Sequence, residues 1–413
     1  MLIRILSISC AMAAVLPWTT SLTLADPPDQ TQEAIGASIH PWGRVEPVGS
    51  TGGRFRFVVE HAPDDGRIPV PLPFAEVISA RLGTGESVDL PIEISQDAQH
   101  SVLILPAHRQ PITESVAVDV AAGTTQFDDG RIVLTARTAR VEGGRAKLES
   151  QPGNSRIGFW TDPDDSIHWK WRATRWGRYD ARLTFSNADA AGSSIQVVIG
   201  DETVEAELPS TGSWYRYRTL RLGPVSLRRA GDLDVTVRCT KLAGAAVMNL
   251  KAITLEPACE GRDPVQDDDG VITLHGRDAT VHGTVLRYEP AEVKQTLGYW
   301  TRSTDSASWT FSVTRPGEFD VEVLQGCGTG QGGSRMRVAV EEHSGGHGTS
   351  LPFAVEDTGG FQAFRPRIIG RIDLAAGSHA IRVIPERIAK AAACDIRQLR
   401  LIPVVTRSAP NPR

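Results

Sequence analysis

The chain has 413 residues, 40% hydrophobic and 23% charged, with 44 basic against 49 acidic side chains and a net charge of −5. Such a composition describes soluble globular material, long enough for two to four domains. No Lys/Arg run exceeds two residues, so the electrostatic footprint of a nucleic-acid binder is missing and nucleic acid is excluded as a partner.

Met1 to Arg4 carries positive charge, Ile5 to Trp18 is apolar, and Thr23-Leu24-Ala25 offers a cleavage site before Asp26. This layout predicts a signal peptide over 1–25 and export to the periplasm, cell surface or medium, with 26–37 as a linker. The apolar stretch is too short to span a bilayer, and no later segment approaches about 18 apolar residues, so no transmembrane segment is expected. Cys10 lies too early to be a lipoprotein acceptor. Cys239, Cys259, Cys327 and Cys394 share no metal spacing; free buried thiols are the plain reading, with a Cys239–Cys259 pair left open.

Residues 38–122 form a first unit whose clearest strands are Arg54 to Val59, Ser101 to Leu105 and Ser115 to Val120. Polar, Gly- or Pro-bearing stretches at Ala121 to Phe127 and Ala258 to Gln266 read as linkers. Beyond the first of them the chain repeats itself. Asp128-Asp129-Gly130 recurs as Asp268-Asp269-Gly270, and a constant offset of 140 matches 20 of 53 positions without a gap. Retained pairs include Glu149 with Glu289, Gly158-x-Trp160-Thr161 with Gly298-x-Trp300-Thr301, Asp165 with Asp305, and Trp169 with Trp309. After a small insertion Thr211-Gly212 answers to Thr358-Gly359 and Leu227 to Leu374. Two copies of single-domain size, 126–257 and 266–404, are a tandem duplication rather than a solenoid. The tail 405–413 is expected to be disordered.

The apolar signal has period two: His168 to Ala173 and Ser308 to Val313 alternate polar with apolar, as half-buried strands do. No capped helical segment stands out. The expected fold class is all-β, with three β-sandwich or jelly-roll domains of which the last two are the repeat.

The repeats resemble carbohydrate-binding modules of the galactose-binding-like β-sandwich class. The carriers in the second copy are Leu297-Gly298-Tyr299-Trp300, Asp305 to Phe311, Arg315-Pro316-Gly317-Glu318-Phe319-Asp320, the loop Thr358-Gly359-Gly360-Phe361, the strand Ala376 to Val383, and Asp395-Ile396. The first unit resembles the small β-domain that follows the catalytic barrel of α-L-fucosidases, through Ile39-His40-Pro41-Trp42-Gly43-Arg44, Arg54 to Val59, Ile68-Pro69-Val70-Pro71, Val77 to Gly83 and Leu103-Ile104-Leu105-Pro106. The W-P that often precedes those glycines is absent, and with about 12 residues between the predicted signal peptide and the unit no catalytic barrel is expected ahead of it.

The resemblance implies a sugar platform in the T-G-G-W-like loop, which maps to Trp214 and Phe361, and a hydroxyl partner on the closing strand, which maps to Asn249 and Asp395. Trp160 and Trp300 lie near the same edge; they either pack in the core or form a second wall, and the site is taken to include them. Trp169 and Trp309 read as core, and the unduplicated Trp171 and Trp176 as core filling and turn cover. The family often holds a structural calcium through an early Glu. Here Arg137 and Arg277 stand near that place and would repel an ion; Glu149 and Glu289 would have to compensate, and read more simply as exposed carboxylates. No cofactor is expected. Asp162, Asp164 and Asp165 read as a solvated turn, and His343, His347 and His379 as scattered.

No G-x-S-x-G, HExxH, P-loop or dinucleotide fingerprint is present, and no catalytic residue is assigned. The function expected is a non-catalytic, exported carbohydrate-binding protein that recognises a polysaccharide through loop aromatics of both repeats. The alternative is a structural or assembly protein of the cell envelope, or an accessory partner of a secreted glycosidase or sulfatase, the enzymes such modules accompany. A cryptic glycosidase is the remaining reading.

Overall fold

The computed structural model describes residues 38–48, 54–70, 76–82, 90–91, 93–96, 101–105, 115–121, 125–149, 155–189, 192–341 and 349–404. The predicted signal peptide, its linker, the C-terminal tail, His343 and His347 lie outside the described residues. The fold is all-β, in three two-sheet units. The described residues contain no α-helix, only 3-10 turns such as Ala136–Thr138 and Gly276–Asp278, and thus no helix long and apolar enough to cross a membrane.

In the first unit a six-stranded antiparallel sheet, with Gly43–Val48, Arg54–Val59 and Ser115–Ala121 at its centre, accompanies a three-stranded sheet of Arg67–Pro69, Ser101–Ile104 and Glu93–Gln96. Alternation along Arg54–Val59 turns Phe55, Phe57 and Val59 inward. Trp42 stacks on Phe57 with ring centroids 5.3 Å apart.

Each repeat is a sandwich built the same way. In the first, Ser166–Ala173, Gly231–Lys241 and Ser194–Ile199 form the centre of one sheet. The other runs Lys147–Glu149, Arg156–Gly158, Asn249–Ala258, Gly177–Ser186 and Arg218–Leu227. In the second, Arg287–Glu289, Thr296–Gly298, Asp395–Pro403, Gly317–Cys327 and Gly360–Leu374 repeat that order. Period two puts Ile167 and Trp169, and Ala307, Trp309 and Phe311, between the sheets. Burying such aromatics contributes roughly 2–3 kcal/mol each. These two indoles also have partners: Trp169 Nε1 donates to Thr135 O at 2.8 Å, and Trp309 Nε1 to His275 O at 2.7 Å.

Two sequence readings need correction here. Asp165 is no solvated residue: it is buried, and its carboxylate accepts from the backbone N–H of Gly144, Arg145 and Ala146 at 2.8, 3.0 and 2.5 Å. Asp305 does the same for Thr284, Val285 and Leu286. Trp176 does more than cover its own turn. Its Nε1 donates to Tyr288 O of the second repeat at 2.8 Å. Beside it, buried Arg175 donates to Gly283 O and Val281 O at 2.9 and 3.0 Å, and Thr174 Oγ1 to Thr284 O at 2.7 Å. The four cysteines are free, Cys239 and Cys259 included. Burial pushes the Cys327 and Cys394 thiols up, which leaves them in the unreactive protonated form.

Candidate functional site

The site grows from the register of one sheet in each repeat. In the first repeat Lys147 pairs with Gly158, Ile157 with Leu250, and Asn249 with Ser186. Since neighbouring residues on a strand face opposite ways, Lys147, Gly158, Asn249 and Ser186 form a row on the face turned away from the core. Glu149 and Arg156 pair one step further along on that same face. Gly158 is the floor of the row: a Cβ there would overlap Glu149 Oε2 and come 3.1 Å from Asn249 Oδ1. A side chain there would have to displace the Glu149 carboxylate.

Asn249 ties the row to the next loop. Its Nδ2 donates to Trp214 O at 2.8 Å, and Ser186 Oγ donates to the same carbonyl at 2.7 Å. Trp214 is thereby held at the rim, half-buried. Glu149 is paired with Arg156 Nε at 2.8 Å, and the Arg156 guanidinium lies 5.7 Å from the ring centroid of Tyr215. The ring of Tyr215 is 58% exposed.

In the second repeat Arg287 pairs with Gly298, Leu297 with Ile396, and Asp395 with Gly326. A Cβ at Gly298 would overlap Glu289 Oε1 and stand 3.3 Å from Asp395 Oδ1. Glu289 is buried and bonded to Lys294 Nζ at 2.5 Å, so the expectation of an exposed carboxylate is not met. Burial pushes the Asp395 carboxyl up to about 7, with Glu289 adding to the effect while Lys294 and Gln362 oppose it. Phe361 packs its ring on Gly328, whose Cβ would be 2.7 Å from Phe361 Cε2. Phe364 follows, with the Arg397 guanidinium 4.0 Å from its ring centroid, as Lys251 Nζ lies 5.0 Å from Tyr217 in the first repeat.

The structure therefore brings Trp214 and Asn249, and Phe361 and Asp395, to equivalent rims. It removes Trp160 and Trp300 from them. Both are 0% exposed, and a ring closed on every side offers no face to a sugar. The aromatics at the surface are the residues just before them: Phe159 is 55% and Tyr299 45% exposed. Both take the left-handed backbone, with φ of 53° and 63°. Each sits in a tight turn in which Thr161 N bonds Phe159 O, or Thr301 N bonds Tyr299 O, at 2.9 Å. Non-glycine residues reach that region at a cost of roughly 1–2 kcal/mol, and the turn throws residue 159 or 299 outward while its neighbour goes in. A cation lies against each ring from the same register position: Lys147 Nζ is 4.1 Å from the Phe159 centroid, and Arg287 Cζ is 4.1 Å from that of Tyr299. Sequence reasoning passed over these two; the available signal was an aromatic in both copies one place before the repeated tryptophan.

Glu149 and Glu289 already answer to Arg156 and Lys294, and among the described residues no three His, Cys, Asp or Glu side chains gather. A cleft of about 270 Å³, lined by His275, Arg277, Tyr288, Gln295, Arg397 and Gln398, lies beside the second site, sharing Arg397 with it.

No protein-family profile matches the chain, and no curated protein does. Solved structures similar to it include a family 35 carbohydrate binding module from Clostridium thermocellum, at 16% identity over 30% of this chain and 97% of that one, with a TM-score of 0.27. An α-L-fucosidase from Vibrio sp. strain EJY3 matches at 14% identity over 53% of this chain and 40% of its own, TM-score 0.25. A Paenibacillus xanthan lyase matches at 15% over 88% of this chain and 35% of its own, TM-score 0.26.

Proposed function

We propose that the chain is an exported, non-catalytic carbohydrate-binding protein, with 126–257 and 266–404 as its binding modules, each reading a polysaccharide at its rim. The observation that carries this reading is the doubled arrangement of an exposed, backbone-strained aromatic beside a recessed carboxylate and a closing-strand amide or acid. An aromatic face takes the C–H side of a pyranose, and the polar row takes its hydroxyls. Phe159 and Tyr299 serve as platforms, Tyr215, Trp214 and Phe361 flank them, and Asn249 and Asp395 are the hydroxyl partners. Strain kept at the same place in both copies supports a functional rather than a packing role for those rings. Hydrolysis of a glycoside needs two carboxylates across a cleft; the first repeat has an amide, Asn249, where the second has Asp395, which supports binding as what the two sites have in common. Export rests on the charge and apolar pattern of residues 1–25. A secreted glycosidase or sulfatase acting on the same polymer is the partner that suits such a protein.

The test is retention of the protein on an array of anionic and neutral polysaccharides, with calcium and with chelator. Selective retention on one polymer, reduced in Phe159→Ala and Tyr299→Ala and insensitive to chelator, is the expected result. Uniform failure to bind overturns the reading and favours an assembly role.

A further inference from the structure

Resting on that reading of the second site, we propose that this site is shared between the repeats: Trp176 of the first repeat, acting through Arg287, positions the Tyr299 platform of the second. Arg287 Cζ lies 4.4 Å from the Trp176 centroid and 4.1 Å from that of Tyr299. Trp176 also meets Tyr299 directly, edge to face, with centroids 5.9 Å apart and planes at 84°. Arg287 is itself fixed, since its Nε donates to Val285 O at 2.9 Å, and it pairs in register with Gly298, the residue before Tyr299. Burial lowers the pKa of its guanidinium, which marks it as desolvated, the condition under which cation–π contacts are strongest.

Trp176 in turn cannot drift. Its indole N–H is held by Tyr288 O, and Arg175 and Thr174 lock the same turn to Gly283, Val281 and Thr284. A strained φ at Tyr299 persists only where its surroundings over-determine it, and here part of those surroundings comes from the neighbouring repeat. The first site differs. Phe159 has Lys147 against its ring from its own repeat, and in the second repeat Pro316 stands where the first has Trp176. Trp176 and Arg287 are positioning residues, and the second site is complete only in the tandem.

The experiment uses the full chain in two arms. In the first, affinity electrophoresis is run in gels cast with pectin, xylan, alginate or fucoidan. Trp176→Ala is expected to weaken retardation about three- to tenfold, and Trp176→Phe to restore most of it. The loss must vanish in a Tyr299→Ala background and survive in a Phe159→Ala background. Equal loss in both backgrounds, or none, overturns the proposal and marks Trp176 as inter-repeat glue alone. In the second arm, amide hydrogen exchange without any sugar should rise at residues 297–301 and stay unchanged at 157–161; no rise overturns the coupling. Arg287→Met, which keeps the stem and removes the cation, repeats both arms should Trp176→Ala fold poorly. If the wild-type chain is retarded in none of the gels, the sugar-binding reading fails, while the exchange arm still decides whether Trp176 positions Tyr299.

Discussion

Asn249 donates its side-chain amide to the carbonyl of Trp214 at 2.8 Å, fastening the aromatic loop of the first repeat to its closing strand. The residue in that place in the second repeat is Asp395, which has a proton to donate only when uncharged. Its surroundings favour that form: it is buried, Glu289 is beside it, and Lys294 and Gln362 oppose the effect only in part.

This asymmetry makes the stability of the protein depend on pH in a definite direction. A carboxyl raised from the ordinary value near 4 to about 7 is more protonated in the folded chain than in the unfolded one. Its contribution is therefore full below about pH 4 and is lost as pH rises to about 7, by at most roughly 4 kcal/mol. Asp395→Asn should flatten that part of the profile and raise the melting temperature at pH 7.5. Parallel wild-type and variant profiles between pH 4 and 8 would show that Asp395 does not titrate there.

Strain at the platforms gives a second expectation. Glycine accepts φ values of 53° and 63° without cost, so Phe159→Gly and Tyr299→Gly should melt within about 3 °C of wild type or above it, while polysaccharide affinity falls about tenfold per site, roughly 1.4 kcal/mol. Calorimetry on the two variants checks this. A large drop in melting temperature would make the rings part of the packing.

The carboxylates beneath the Gly143 and Gly283 turns are structural, and their removal should show it. Asp165→Ala and Asp305→Ala each strand three backbone donors and should each cost roughly 3 kcal/mol or more, read as a lower urea midpoint. For Asp165, burial would raise the pKa, but the N–H groups of Ala146, Gly144 and Arg145 outweigh it and hold the group below the usual carboxylate range. Its stabilisation is thus present at neutral pH and is lost as pH falls below about 4. An unchanged midpoint in Asp165→Ala at pH 7 would refute the assignment.

Much of the fold was legible because strands write a period of two. Trp169 and Trp309 announce their burial by alternating with polar neighbours and by recurring at a fixed offset, and both lie between the sheets. The rim was half legible. Gly158-x-Trp160 and Gly298-x-Trp300 located the edge, but nothing in a sequence says that an aromatic will take a left-handed backbone, and that single dihedral decides which of two adjacent rings meets water. The contact of Trp176 with the second repeat was hidden for another reason. Periodicity reports which face of a strand is buried, and does not report which neighbouring body covers a turn. The lack of a counterpart for Trp176 in the second copy was the trace that remained.

The carboxylate shared by the two rims is answered by Arg156 from its own paired strand in the first repeat and by Lys294 from the preceding loop in the second. After duplication, then, what the two copies held in common was a charge balance, reached from different points of the chain. Position 296, which corresponds to Arg156, is Thr, an exchange of a cation for a neutral side chain between the copies. A column-by-column comparison of such modules would score that change as a loss. An ancestral intermediate carrying both cations, or briefly neither, would be the informative one to reconstruct, because it would show whether a rim tolerates an unanswered glutamate at all.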